Sequence, residues 1–163
     1  MLGRITVTRT FATTASPSAV WAALEAAPRW PEVLTDLIEA RIEPDGVLAA
    51  GAVIRTHARP GTKAVDMTYH VTAAEPRLGL TIATASNDFR AQTEYRIDAF
   101  ASGARVTLTA VAEPVRWLHK LTTQLARRSY TAQLETALES RMRPMLTLGE
   151  RIGSTTLNPS CKL

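Results

Sequence analysis

The chemistry open to this chain is bounded by three histidines, His57, His70 and His119, and by one cysteine, Cys161. Imidazole exchanges a proton near neutral pH, so a histidine facing an interior site is the natural acid–base candidate. His57 would be the best placed of the three if it pointed inward. Its parity along its strand is ambiguous, and an exposed position is expected. The histidines are far apart and form no His-x-x-x-His pair, and Cys161 has no thiol partner. A zinc site lacks ligands on this count, and no metal is expected. The chain carries no Gly-x-Gly-x-x-Gly, no Gly-Lys-Ser/Thr phosphate loop and no Gly-x-Ser-x-Gly elbow. Nucleotide chemistry, serine hydrolysis and a resident cofactor have no support in the sequence, and no catalytic residue is assigned.

What remains is a set of hydroxyl and aromatic groups carried by strands. β-Branched runs over 36–43, 52–58, 63–74, 78–85, 89–100 and 104–113 are separated by turn signals such as Asp45-Gly46, Pro60-Gly61, Asn87-Asp88 and Ser102-Gly103. That spacing predicts an antiparallel meander. An earlier strand is predicted where Ile5, Val7 and Phe11 alternate with Arg4, Thr6, Thr8 and Thr10. Successive side chains of a strand point to opposite faces, so the more apolar parity faces the core. On 89–100 the inward set is Phe89, Ala91, Thr93, Tyr95, Ile97 and Ala99, which leaves Glu94 and Arg96 in water. The same rule turns Val65, Met67, Tyr69 and Val71 inward, then Leu80, Ile82 and Thr84, then Val106, Leu108 and Ala110. The wall so built is aliphatic, with hydroxyls from Tyr69, Tyr95, Thr84 and Thr93. A lipid, aromatic or polyketide-like molecule suits such a wall. The tyrosines would equally serve as core aromatics whose hydroxyls reach backbone or water.

Helices must close this sheet. Ser16-Pro17 supplies an N-cap and a proline at the first helical position, followed by Val20, Trp21 and Leu24 on one side. Trp21 is expected to pack against the sheet. Pro28 ends that helix, and Trp30-Pro31-Glu32-Val33-Leu34 reads as a second short turn near the mouth. After Pro114 the period changes to helical, with Leu118, Leu121, Leu125, Ala132, Leu138 and Met142. One long amphipathic helix is predicted from 115 to about 143, weakened or kinked by Pro144. Arg116, Lys120, Arg127 and Arg128 are expected to form its solvated face. The order of elements is α+β, and only the last helix is long enough to cover a curved sheet. A helix gripped in this way tends to leave a cavity. The candidate ligand-binding residues are Trp30, Met67, Tyr69, Thr84, Phe89, Thr93 and Tyr95, with Thr122, Leu125 and Ser129 from the helix.

The totals fit one domain. A chain of 163 residues buries roughly 70% of its extended surface without needing staples. A single domain over 1–152 is expected, with a polar, flexible tail over 153–163. A lone cysteine argues for a reducing compartment. No run approaches the ~18 apolar residues of a membrane span, and no signal-like apolar core follows Met1. A cytoplasmic protein is expected. The net charge of +4 and pI of about 9.7 come from scattered Arg and Lys, so nucleic acid is not expected as a partner. Any protein partner is left open.

Ser16-Pro17-Ser18-Ala19-Val20-Trp21-Ala22-Ala23-Leu24, followed by Arg29-Trp30-Pro31, resembles a pattern of the START-like (SRPBCC) superfamily, polyketide cyclase/dehydrase branch. Asp45-Gly46 to Gly51, Val71-Thr72-Ala73-Ala74-Glu75-Pro76-Arg77-Leu78 and Gly103-Ala104-Arg105-Val106-Thr107-Leu108-Thr109 resemble its hairpins and last strand. The resemblance covers about residues 4–142. It implies a helix-grip fold: a curved seven-stranded antiparallel sheet around a long C-terminal helix, with two short helices after the first strand. Members of the superfamily include hydrophobic-ligand carriers, aromatic cyclases, quinone-related binders and chaperone activators. Two functions stay open at this point. The cavity binds an apolar small molecule unchanged, or it acts as a cyclase or dehydratase on a polyketide-like substrate. A weaker third reading is a protein-interaction module using the basic helix or a sheet edge.

Overall fold

The computed structural model describes residues 3–116 and 126–156. β1 (Ile5–Thr13) is followed by α1 (Pro17–Glu25) and a 3-10 segment (Ala27–Glu32). Six strands come next: β2 (Leu37–Glu43), β3 (Val53–Ala58), β4 (Val65–Glu75), β5 (Gly79–Ala85), β6 (Phe89–Phe100) and β7 (Gly103–Pro114). A long helix, α2 (Arg127–Thr156), closes the described chain. The seven strands form one antiparallel sheet in the order β1-β7-β6-β5-β4-β3-β2. β1 lies beside β7 because the helical stretch after it carries the chain to the far edge, from which the meander returns strand by strand.

Local chemistry accounts for these elements. The Ser16 side chain accepts from the Ala19 amide at 3.2 Å, and Pro17 opens α1 where no backbone donor is needed. One face of α1 then buries Val20, Trp21 and Leu24, each at most 5% exposed. On β1, Ile5, Val7 and Phe11 are buried while the intervening threonines stay in or near water. The alternation continues across the sheet, where Phe11 pairs with Val106 and Val106 with Ile97. Those three carry the middle of the core. A register shift between Val71 and Ala73 on β4 bends the sheet, as such irregularities do.

The long helix departs from its predicted span. Val115 and Arg116 are not helical, and α2 runs through Pro144 to Thr156, well past the predicted end near 143. A proline inside a helix costs about 3 kcal/mol, because it leaves the carbonyl one turn back without its donor. Packing outweighs that cost. Met145, Leu146 and Leu148 beyond the proline are buried at 7%, 6% and 0%. Gly149 lets α2 approach α1 so closely that a Cβ there would stand 3.3 Å from the Ala19 carbonyl oxygen. The Glu150 carboxylate accepts from Thr13 Oγ1 at 2.8 Å and from the Thr14 hydroxyl and amide. Those bonds, the Thr13 hydroxyl first, hold its pKa below the usual carboxylate value. The helix also continues over 153–156, where the sequence reading begins its tail. The residues from 157 onward lie outside the described set.

The β6–β7 turn is tight enough to test. A Cβ built on Gly103 would overlap the Thr13 carbonyl oxygen and come within 2.8 Å of Thr14 Cα, both backbone atoms that cannot swing away. Gly103→Ala is expected to destabilise by about 1–3 kcal/mol, in the range of overpacked sites. Urea denaturation checks it. An unchanged midpoint would mean that β1 and β7 do not meet as closely as described.

Candidate ligand cavity

Between the sheet and α2 lies a cavity of about 330 Å³. Strand parity builds most of its wall. Thr56 pairs with Met67 and Ile54 with Tyr69 across β3 and β4. Ile82 pairs with Thr93 and Thr84 with Ala91 across β5 and β6, and Tyr95 pairs with Leu108 on β7. All of these face the cavity. Leu24, Trp30, Leu34 and Leu37 close it from α1 and the segment after it. Trp30 is held in place by its indole N–H, which donates to the Ala23 carbonyl at 2.9 Å. The helix contributes Leu134, Ala137, Leu138, Arg141, Met142 and Met145. Their spacing alternates three and one, which keeps them on one stripe of a 3.6-residue period.

The polar groups of the wall are few and unequally engaged. Thr84 Oγ1 donates to the Thr68 carbonyl at 2.8 Å and so serves the sheet. Tyr69 Oη donates to the Met67 sulfur at 3.2 Å, a weak acceptor. Tyr95 Oη makes no hydrogen bond among the described residues. Burial pushes the Tyr69 phenol up, with the Arg141 guanidinium pulling the other way. Burial also pushes Tyr95 up, helped by Tyr69 and opposed by Arg141, to about 12. Both phenols therefore remain neutral donors at physiological pH. Arg141 stands close enough to act on both.

The structure places the predicted residues unevenly. Trp30, Met67, Tyr69, Thr84, Thr93 and Tyr95 come together on the cavity wall. Phe89 does not. It lies at the start of β6, its ring 6.4 Å from that of Tyr130, outside the lining. Ser129 is exposed near the start of α2 and is likewise outside it. Thr122 and Leu125 lie outside the described residues. Of the predicted helical repeat, Leu138 and Met142 lie on the lining, Ala132 does not, and Leu118, Leu121 and Leu125 lie outside the described residues. The 134-137-138-141-142-145 spacing was the sequence signal for the true stripe. His57 is not in the cavity but on the outer face, Nδ1 2.7 Å from Asp66 Oδ1. There it sits in a wider hollow of about 560 Å³ on the polar side of the sheet, open to solvent. The neighbouring charges in that hollow are paired, Arg41 and Arg55 with Glu43. His70 is also exposed on the sheet, and His119 lies outside the described residues. Among the described residues the cavity wall therefore carries no histidine, aspartate or glutamate. No cluster of three metal-ligating side chains exists among them either, and no helix there is long and apolar enough to cross a membrane.

Comparison with known folds gives close matches despite low identity. The aromatase/cyclase Zhui from Streptomyces sp. R1128 superposes with a TM-score of 0.71 at 17% identity, covering 91% of this chain and 94% of that one. Ara h 8.0201 matches with a TM-score of 0.66 at 11% identity, covering 93% and 99%. The di-domain aromatase/cyclase StfQ of the steffimycin pathway gives 0.71 at 13% identity, covering 95% of this chain and 52% of that one. At such identities the likeness shows the helix-grip fold. A search of curated proteins returns no match. The sequence matches the family described as polyketide cyclase / dehydrase and lipid transport over residues 4–142, and the chain belongs to that family.

Proposed function

We propose that this chain binds an apolar small molecule of lipid, aromatic or polyketide-like character in the cavity between sheet and helix, and carries it unchanged in the cytoplasm. The observation that supports this most is the wall itself: aliphatic side chains, two tyrosines, three threonines, and no carboxylate or imidazole among its described residues. Such a lining solvates an apolar body and offers a few directional donors, the usual make-up of a small-molecule site. The proposed binding residues are Trp30, Met67, Tyr69, Thr84, Thr93 and Tyr95, joined by Leu138, Arg141 and Met142.

A second reading keeps the site and adds chemistry. The unengaged Tyr95 hydroxyl, together with Tyr69 and Arg141, could hydrogen-bond a carbonyl oxygen while the wall folds a reactive chain for cyclisation or dehydration. Positioning alone can supply several kcal/mol of rate enhancement. Native mass spectrometry of the purified protein separates the two readings. A retained, unreacted lipid or aromatic compound supports the carrier. Turnover of a polyketide-like thioester supports the enzyme.

Tyr95→Phe keeps the ring and removes only the hydroxyl. Affinity for a ligand with a polar atom at that end should fall by about 0.5–1.5 kcal/mol, the net value of a neutral hydrogen bond. Fluorescent-ligand titration measures it. Glu94→Gln and Arg96→Gln, on the wet face of β6, should leave affinity unchanged. If they abolish binding and Tyr95→Phe does not, the ligand sits on the other side of the sheet.

A further inference from the structure

Arg141 is the one charged side chain in the cavity lining among the described residues. It is exposed and yet lines the cavity, so it belongs to both the wall and the solvent boundary. A long cationic side chain at such a rim lays its stem on apolar surface and keeps its head toward water. Its helix neighbours one turn away on either side are Ala137, Leu138, Pro144 and Met145, none of which can neutralise it. The three acidic residues of α2 are all engaged elsewhere. Glu135 binds Arg9, Glu139 binds Arg143, and Glu150 accepts from Thr13 and Thr14. Arg141 itself forms no hydrogen bond or ion pair among the described residues. The phenols of Tyr69 and Tyr95 face the same cavity, and Tyr95 Oη has no acceptor there. A cation with no counter-charge and a donor with no acceptor thus converge on one apolar space.

We infer that the ligand is amphipathic and anionic, an apolar body with a carboxylate that Arg141 binds, Tyr95 assisting from inside the cavity. A guanidinium presents paired donors that match the two oxygens of a carboxylate, and a neutral phenol adds a donor without repelling the anion. The electrostatic influence of Arg141 on both phenols is consistent with that grouping. The inference rests on the cavity reading above and narrows it to a class of head group.

The test uses three probes with the same twelve-carbon chain: dodecanoate, 1-dodecanol and dodecylamine in its protonated form. Each is titrated by displacement of an environment-sensitive dye, below the micelle concentration, at neutral pH and low salt. Dodecanoate should bind about tenfold more tightly than dodecanol, and the ammonium probe should bind more weakly than both. Arg141→Gln should collapse the carboxylate-to-alcohol preference to near one. Arg143→Gln, which removes an arginine paired with Glu139 outside the lining, should keep the preference. Circular dichroism and melting confirm that both variants are folded. Equal affinity of wild type for the acid and the alcohol overturns the head-group inference while leaving the cavity reading intact. A preference that persists in Arg141→Gln overturns the assignment to Arg141. Failure of all three probes to bind counts against the cavity reading itself.

Discussion

Val106→Asp is expected to unfold the domain, or to leave it with little residual stability. Val106 is 0% exposed and stands in the middle of the sheet between Phe11 on β1 and Ile97 on β6, both also buried. A carboxylate there would have no cation within the apolar cluster around it, and an unpaired buried charge costs several kcal/mol even after it protonates. A domain of this kind holds only about 5–15 kcal/mol in total. The neighbouring Arg105 provides the contrast. It is exposed, with its guanidinium 3.8 Å from the Phe100 ring centroid. Arg105→Asp should cost about 1 kcal/mol, the worth of an exposed cation–π contact with a small strand-propensity loss. Urea titration followed by circular dichroism compares them. Similar midpoints for the two variants would mean that β7 presents its other face to the core.

Met67→Trp should abolish ligand binding without abolishing the fold. Met67 is half-buried, lines the cavity on β4 and pairs with Thr56 on β3. An indole in place of a flexible thioether is expected to grow into the cavity that Met67 lines, the space proposed for the ligand. Affinity for dodecanol or a fluorescent apolar probe should fall at least about tenfold. The stability change should stay within a few kcal/mol, as overpacking costs go. Isothermal titration and a thermal melt on the same preparation read both quantities. Unimpaired binding in the folded variant would place the ligand elsewhere and would sink the cavity proposal.

The sequence was most informative where the physics is local. Strand β6 is expected at 89–100 and found at Phe89–Phe100; of its expected inner face, Ala91, Thr93, Tyr95 and Ile97 are at least half-buried, whereas Ala99, near the strand's end, is exposed. Alternation with period two and the turn pairs Asn87-Asp88 and Ser102-Gly103 are properties of neighbouring residues, so they can be read without knowing the fold. The Ser16-Pro17 start of α1 was legible for the same reason. Phe89 shows the limit of that reading: it has the inward parity but stands at the end of its strand, beyond the reach of the cavity.

By itself, then, the sequence determined the order of elements, the strand parities and the aliphatic, hydroxyl-bearing character of the wall. It did not determine the helix. Where α2 ends depends on the burial of Leu146 and Leu148, on Gly149 and Gly153 meeting Ala19 of α1, and on Glu150 finding Thr13 and Thr14 more than a hundred residues earlier. Those long-range contacts carry the helix through Pro144 against its local preference. The tertiary structure also decided which stripe of α2 faces the sheet, and that stripe brings Arg141 to two tyrosines from separate strands. Helical phase is set by packing against a distant partner, because a 3.6-residue repeat offers several faces of similar hydrophobicity and only contact selects among them.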